Sequence, residues 1–266
     1  MKKQLKILNV TITNEKKERV LELLRDRLKT PQKKTFIITP NPEMLVYASK
    51  HLAYQDKLNS ADIALADGVG LAVAGRLLGQ PIEERITGVD FIEELCKSAS
   101  WRSEKPLSIG FLGGREGVAE LAVNRLLAKY PYLDVVFVGS EWGEEGFKFK
   151  KKNREYRIGN RKEKNKLSIL HSPFSIPRQI DILFVAYGVP KQEEWIYENL
   201  PKLPVKAAIG VGGAFDFLSG KVRRAPIWMQ KLGIEWLFRL IIQPWRFRRQ
   251  LALFTFLRLV LQEKFK

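Results

Sequence analysis

Short apolar segments alternate with helical patterns along most of the chain, and this alternation constrains the fold more than any other feature. Strand-like segments occupy residues 5–12, 36–39, 63–66, 107–112, 135–138, 182–186 and 205–210. Helical patterns lie between them, for example at 15–28, 43–58, 88–98, 116–129 and 191–200. Alternation of this kind is typical of parallel βαβ units. We therefore predict an α/β fold, a Rossmann-like three-layer sandwich with a mostly parallel sheet.

The segment 35–95 contains two predicted strands that end in polar turns. The first strand ends at Thr39-Pro40-Asn41-Pro42, and the second ends at Asp67-Gly68-Val69-Gly70. Because the carboxyl ends of neighbouring parallel strands share one edge of the sheet, ligands bind at that edge. The side chains predicted to meet there are Thr39, Asn41 and Asp67, with Arg85, Thr87 and Asp90 from the following loop and helix.

Each of these polar residues also has an ordinary structural interpretation. Asp67 precedes a glycine-rich helix start, where Asp is a favoured N-cap. Thr39 could be only a strand-end hydroxyl, and Asn41 only a turn former. Arg85 could pair with a neighbouring glutamate at the surface, an interaction that contributes little. Gln192 could supply ordinary polarity to the first turn of a helix, and spacing alone leaves both interpretations open in every case.

A glycine-rich turn lies between a predicted strand and a predicted helix at residues 107–117. Its glycines include Gly113 and Gly114, whose backbone N–H groups could approach a diphosphate at the helix N-terminus. The spacing departs from G-x-G-x-x-G, so tight packing between strand and helix is an equal alternative. Both glycines are therefore candidate substrate-binding residues with a structural alternative.

The net charge of +17 is concentrated in two segments. Residues 148–166 carry 10 Lys or Arg and 2 Glu, and residues 221–266 carry 11 Lys or Arg and 2 Glu, which leaves 25 basic and 25 acidic residues elsewhere. Such local excess indicates anionic partners at defined places. The first segment belongs to a basic insertion at about 146–175, which we interpret as a solvated loop.

The chain changes character after residue 220. Apolar and aromatic residues recur at helical spacing around Trp228 and Trp236, Pro244 interrupts them, and a second amphipathic segment runs from 245 to 265 with many arginines. Such helices suit the interface of an anionic bilayer, although docking on the sheet is the alternative. We predict an α/β domain at 1–220 and a basic, membrane-associating helical appendage at 221–266, with no spanning helix.

The available chemistry is narrow. One cysteine, Cys96, cannot form an internal disulfide, which favours a reducing cytosol, and the short basic N-terminus does not indicate a signal peptide. Two histidines make no metal constellation, so neither a metal nor a cofactor is expected. A carboxylate with arginines and backbone amides remains, and this combination suits group transfer from a diphosphate donor.

Seven motifs in register resemble one known family. They are Thr39-Pro-Asn-Pro-Glu, Ala66-Asp67-Gly68-Val-Gly, Arg85-Ile-Thr-Gly-Val-Asp90, Tyr187-Gly-Val-Pro-Lys-Gln-Glu-Glu-Trp195, Gly210-Val-Gly-Gly-Ala-Phe-Asp216, Arg224-Ala-Pro226 and Glu235-Trp-Leu-Phe-Arg239. Together they resemble the WecG/TagA/CpsF glycosyltransferases of bacterial surface-polymer synthesis. The resemblance extends from about residue 5 to residue 249, and the basic insertion at 146–175 is its main departure.

The resemblance implies an activity and a location. The family transfers N-acetylmannosamine, or its uronic acid, from a UDP-sugar to undecaprenyl-diphosphate-linked N-acetylglucosamine during synthesis of teichoic acid, enterobacterial-type antigen or capsule and exopolysaccharide. The reaction is inverting and metal-independent. It runs at the cytoplasmic face of the plasma membrane, so a peripheral protein on the anionic inner leaflet is expected. The alternative within the family is another UDP-hexose donor, and a homo-oligomer stays open.

The resemblance also implies roles for individual residues. Asp67 matches the family's catalytic base, and Thr39 matches a residue of the catalytic pocket beside it. Residues that would contact donor or acceptor are Asn41, Gly68, Arg85, Gly113, Gly114 and Gln192. Arg239, Arg246 and Arg249 match arginines of the appendage, which would complete the active site and stabilise the UDP diphosphate. Guanidinium groups suit that task because they stay protonated and bind phosphate in a bidentate manner.

Two other classes of protein compete with this interpretation. A nucleic-acid-binding module would explain the positive charge, but it needs a basic face with aromatic residues along a groove. Here the excess lies in one loop and one amphipathic tail, so no nucleic acid is expected as a partner. A Rossmann oxidoreductase would require a regular glycine motif and an acidic ribose-binding residue about 20 positions later, and neither is persuasive.

Overall fold

The computed structural model describes residues 3–30, 33–99, 107–115, 117–142 and 179–265. The basic insertion predicted at 146–175 lies outside the described residues. The described chain begins with an antiparallel hairpin, β1 (Gln4–Ile7) and β2 (Val10–Thr13). The prediction of a single strand at 5–12 was therefore wrong. Leu8 and Asn9, with φ of 49° and 61°, form a two-residue turn of the kind that hairpins favour.

The main sheet has six strands, and every pairing in it is parallel. Its strands are β3 (Thr35–Ile38), β4 (Ile63–Ala64), β5 (Ser108–Gly113), β6 (Asp134–Gly139), β7 (Ile180–Ala186) and β8 (Val205–Gly210). The order across the sheet is β4-β3-β8-β7-β5-β6. In the register, Ile37 of β3 lies opposite Ile63 and Ile209 of its two neighbours. The parallel sheet confirms the predicted fold class.

Helices cover both faces of this sheet. They are α1 (Lys17–Lys29), α2 (Pro42–Ala48), α3 (Leu52–Asn59), α4 (Val69–Leu77), α5 (Gly88–Ala99), α6 (Val118–Lys129), α7 (Lys191–Asn199), α8 (Ala214–Leu218), α9 (Ile227–Lys231), α10 (Glu235–Ile242) and α11 (Phe247–Lys264). One buried cluster includes Leu24, Phe91 and Phe215, and a second includes Met44 and Ile196. The two clusters lie on opposite faces of the sheet, which gives the fold its three layers. Strands β5 and β7 are buried along their whole length, as central strands of a parallel sheet are.

One long predicted helix is in fact two. The pattern at 43–58 is divided into α2 and α3 by a turn at Ser49 and His51. There the backbone N–H of Lys50 donates to the carbonyl of Tyr47, three residues back, and His51 donates likewise to Ala48. Such bonds tighten the last turn of a helix and end it.

The C-terminal helix α11 packs on the sheet domain, against α2 and α4. Phe256 and Val260 of this helix are fully buried, whereas Trp245, Phe247 and Phe254 of the same region are exposed. The appendage is thus docked through one face while it presents apolar side chains on its surface. Within the described parts of the chain, no helix is long and apolar enough to cross a membrane.

Candidate active site

A cavity of about 640 Å³ opens at the carboxyl ends of the parallel strands. Its floor comes from the loops that follow β3, β4, β7 and β8, and its outer wall comes from α10, α11 and the turn between them. Because α11 packs against α2 and α4, the appendage is held over the strand ends. The predicted site residues that line this cavity are Thr39, Asn41, Asp67, Gly68, Arg85, Gly114, Gln192, Arg239, Arg246 and Arg249.

Asp67 lies in this cavity, three residues after the end of β4. Its backbone N–H donates to the carbonyl of Pro40 (2.9 Å), which ties the β3 and β4 loops together. Helix α4 begins at Val69, and Gly68, with φ of 91°, occupies the N-cap position. The structure therefore differs from the capping interpretation of Asp67, because the left-handed glycine separates its side chain from the helix start.

The electrostatics of Asp67 suit proton transfer. Burial in the cavity raises the pKa of this carboxyl from 3.8 to about 6, although a hydrogen bond from the Gly88 backbone and the charge of Arg85 pull it down. The side chain keeps some accessible surface in the cavity. A carboxylate with a pKa near neutrality is ionised at physiological pH and can still accept a proton efficiently.

Thr39 and Asn41 connect the elements around Asp67. The Thr39 hydroxyl is buried and donates to the carbonyl of Gly210 (2.8 Å), which joins the ends of β3 and β8. Asn41 is the N-cap of α2, because its Oδ1 accepts a hydrogen bond from the Met44 N–H (3.0 Å). Both residues therefore have a structural role, and both also line the cavity.

Arg85 joins the sheet domain to the appendage. Its Nη2 donates to the carbonyl of Gln230 (2.9 Å), near the C-terminal end of α9. The neighbouring glutamates contact other groups, since Glu83 faces Lys16 (4.0 Å) and Glu84 accepts from the backbone N–H of Lys17 (2.8 Å). The surface-pair interpretation of Arg85 is therefore not what the structure contains.

A second link to the appendage was not singled out from the sequence. The Arg224 guanidinium donates to Asp90 (2.6 Å) and to Glu235 (3.3 Å), and Asp90 also accepts from the Thr87 hydroxyl (2.6 Å). Arg224 and Glu235 line the cavity. Both residues stand in motifs that carried the family resemblance, but only the structure shows that they pair with each other and that Arg224 also pairs with Asp90.

The three predicted appendage arginines share one wall of the cavity. Arg249 makes a bidentate pair with Glu43 (2.9 and 2.8 Å), and Arg239 lies 3.6 Å from Asp216. The Nε of Arg246 is buried and has no hydrogen-bond partner in the described structure. Burial, together with the charges of the other two arginines, lowers the pKa of Arg246 to about 10. This wall therefore holds three guanidinium groups and two carboxylates, a combination that suits an anionic ligand.

Gln192 lines the cavity, although the residue is almost fully buried. Its Oε1 accepts hydrogen bonds from the backbone N–H groups of Gly188 (3.2 Å) and Gly212 (2.9 Å). Its Nε2 donates to the carboxylate of Glu193 (2.5 Å).

The glycine-rich turn after β5 serves close packing. The Gly114 N–H donates to the carbonyl of Ala186 (3.0 Å), and a Cβ on Gly113 would lie 2.9 Å from the Tyr187 ring. Gly114 lines the cavity, whereas Gly113 is not among the lining residues. The packing alternative therefore describes the contacts of both glycines.

A parallel α/β sheet that places a carboxylate of raised pKa and clustered arginines in one cavity suits an enzyme that transfers groups from anionic donors. Among the described residues, no group of three His, Cys, Asp or Glu is arranged to hold a metal ion. The sequence profile of the WecG/TagA/CpsF glycosyl transferase family matches residues 5–266. The chain belongs to this family, and the resemblance stated from its motifs is confirmed.

Three similar relatives share one name. An N-acetylglucosaminyldiphosphoundecaprenol N-acetyl-beta-D-mannosaminyltransferase of Bacillus subtilis (strain 168) is 32% identical over 228 residues, which are 86% of this chain and 79% of the relative. The protein of that name from Staphylococcus aureus (strain MRSA252) is 33% identical over 207 residues, 78% of this chain and 72% of the relative. The one from Bacillus spizizenii is 29% identical over 232 residues, with 87% and 80% covered.

Proposed function

We propose that this glycosyltransferase moves N-acetylmannosamine, or its uronic acid, from a UDP-sugar to N-acetylglucosamine carried on undecaprenyl diphosphate, for a cell-surface polymer. The names of the relatives support this acceptor and this transferred sugar. The observation that carries the proposal is the position of Asp67 in the same cavity as Arg239, Arg246 and Arg249. A base and a diphosphate site within one cavity are what such a transfer requires.

The proposed step is a single displacement. The acceptor hydroxyl oxygen forms a bond to the anomeric carbon of the donor sugar, while the bond from that carbon to the UDP oxygen breaks. The hydroxyl proton passes to the Asp67 carboxylate, and the electron pair of the broken bond leaves with UDP. Attack from the face opposite the leaving group inverts the anomeric configuration. The arginine wall stabilises the charge that develops on the diphosphate.

We also propose that the appendage holds the enzyme at the anionic inner leaflet of the plasma membrane. Support comes from the exposed apolar side chains Trp228, Ile241, Trp245, Phe247 and Phe254, which occur among the basic residues of 221–266. Aromatic residues beside cations suit the headgroup region of such a bilayer.

Co-sedimentation with anionic vesicles tests the membrane proposal. A double variant, Trp245→Ser with Phe254→Ser, removes two exposed rings and leaves the buried face of α11 intact. It should stay folded and lose most of its binding, and a chain that ends at Gly220 should not pellet at all. Unchanged sedimentation of both proteins would remove the appendage as the anchor.

A transfer assay tests the enzymatic proposal. A panel of UDP-sugars is offered with a lipid-diphosphate N-acetylglucosamine acceptor, with and without a chelator, and the product's anomeric configuration is determined. We expect transfer from UDP-N-acetylmannosamine or its uronic acid, insensitivity to the chelator and inversion. Faster transfer from another UDP-hexose would favour the alternative donor. Absence of transfer from every UDP-sugar would refute the proposal.

A further inference from the structure

Glu193 is a carboxylate that is fully buried behind the cavity, in the first turn of α7. Each of its oxygens accepts one side-chain hydrogen bond, Oε2 from the Tyr54 hydroxyl (2.9 Å) and Oε1 from the amide of Gln192 (2.5 Å). Burial raises the pKa of Glu193 to about 7, against these two hydrogen bonds, which lower it. A buried carboxyl is unfavourable unless it is well bonded, so its position calls for a specific task.

The side-chain amide of Gln192, the neighbouring residue, is fixed in one orientation by its hydrogen bonds. Its oxygen accepts from the N–H groups of Gly188 and Gly212, which belong to the loops after β7 and β8. A flip of Gln192 would place N–H groups against those two N–H groups and lose both bonds. The Oε1 of Glu193 accepts from the nitrogen end of the amide, and this bond holds the oxygen end toward the loops.

The loops that Gln192 holds are in contact with Arg239 and with Thr39. A Cβ on Gly213, which follows Gly212, would lie 3.0 Å from Nη2 of Arg239, so this backbone packs against the guanidinium. On the other side, a Cβ on Gly210 would lie 3.0 Å from both Gln192 Nε2 and Glu193 Oε1. The carbonyl of that same glycine accepts from the Thr39 hydroxyl. The buried pair is thus packed into the floor beneath the cavity.

We infer that Glu193 is a positioning residue for the donor diphosphate site: by fixing the amide of Gln192, it fixes the Gly188 and Gly212 loops against which Arg239 packs. This inference rests on the proposed function for the identity of the donor. It assigns no contact between Glu193 and substrate. Its effect on turnover passes through the two loops.

The competing explanation is a purely structural carboxylate that joins α3 to α7 through Tyr54. Tyr54→Phe is the matched control, because it removes one hydrogen bond of Glu193 on the side away from Gln192. Tyr54 does not line the cavity. Glu193→Met removes both acceptors at similar volume, whereas Glu193→Gln keeps a carbonyl oxygen for the Gln192 amide and is the conservative rescue.

The experiment measures kcat and KM for the UDP-sugar, UDP binding by calorimetry, and Tm for the whole chain. We expect Glu193→Met to lower kcat/KM by between about tenfold and about 100-fold, as misplaced binding groups do, with weaker UDP binding. Glu193→Gln should restore most of both. Tyr54→Phe should lower Tm while kcat/KM stays within about twofold of the parent.

Equal losses of Tm in Tyr54→Phe and Glu193→Met with unchanged kcat/KM and UDP binding would overturn the inference. If Glu193→Met does not fold, Glu193→Asp replaces it, because the shorter side chain withdraws the acceptor from Gln192 and keeps the charge. A folded Glu193→Asp with normal UDP affinity would also overturn it. Failure of the proposed function is distinct, since it would appear as no UDP binding by the parent protein.

Discussion

Replacement of Asp67 by Asn is expected to abolish transfer and, at alkaline pH, to stabilise the fold. The pKa of this carboxyl is raised from 3.8 to about 6, mainly because the side chain is buried. In the unfolded chain the same group ionises at its ordinary pKa. The folded protein therefore binds more protons between those two values, and its stability falls as the pH rises through that interval.

The magnitude follows from the size of the shift. A change of one pKa unit corresponds to about 1.4 kcal/mol, so the ionised Asp67 carboxylate lowers the free energy of unfolding by about 3 kcal/mol above pH 6. Asn is almost isosteric and cannot ionise. The Asp67→Asn protein should consequently be more stable than the parent by up to about 3 kcal/mol at about pH 8, with no difference below about pH 4.

Urea unfolding at a series of pH values measures this difference. Asp181→Asn is a control variant for which the expected change in stability has the opposite sign. Burial alone would raise the pKa of Asp181, but the hydrogen bonds from Lys206 and Ser108 outweigh it and bring the pKa below its ordinary value. This variant should lose stability near neutral pH. If Asp67→Asn is no more stable than the parent at about pH 8, the carboxylate is not desolvated as described. Near-normal transfer by the variant would remove its assignment as the base.

Two further predictions concern the same cavity. Because only the ionised Asp67 carboxylate accepts a proton and its pKa is about 6, kcat/KM should rise with pH through an acidic limb near that value; a flat profile between about pH 5 and about pH 7 would contradict the assignment. Arg246→Met should weaken UDP binding by about tenfold or more in calorimetry and leave Tm unchanged or higher, because a buried Nε without a partner is removed. Undiminished UDP affinity would place the diphosphate elsewhere.

Local sequence patterns predicted the sheet because alternation and strand-end turns are local properties. Strands β7 and β8 lie close to their predicted bounds, and the helices between strands differ by only a few residues. The hairpin turn at Leu8 and Asn9 was missed because it lacks the glycine that marks such turns most strongly. The split between α2 and α3 was missed because both helices keep apolar residues in phase across the break at Ser49.

The site could be predicted only where it depends on the order of elements. Thr39, Asn41 and Asp67 line one cavity because two neighbouring strands end there, which the turns had indicated. The pairing of Glu43 with the appendage could not be foreseen, since its partner is more than two hundred positions away in the chain. Glu193 was overlooked because an acidic residue in the first turn of a helix is usually exposed to solvent, where it interacts favourably with the helix dipole.

The contacts that hold the arginine wall in place differ from the contacts that its guanidinium groups make. The pair between Arg249 and Glu43 is partly exposed, with side-chain exposures of 45% and 36%, and such pairs contribute about 1 kcal/mol or less. Docking must therefore depend on buried side chains of α11, and Phe256 and Val260, both fully buried, supply that packing. Because the contact between Arg249 and Glu43 is weak, we propose that a diphosphate replaces it without undocking the helix. In the same proposal, the diphosphate supplies a hydrogen-bond acceptor to the unpartnered Nε of Arg246.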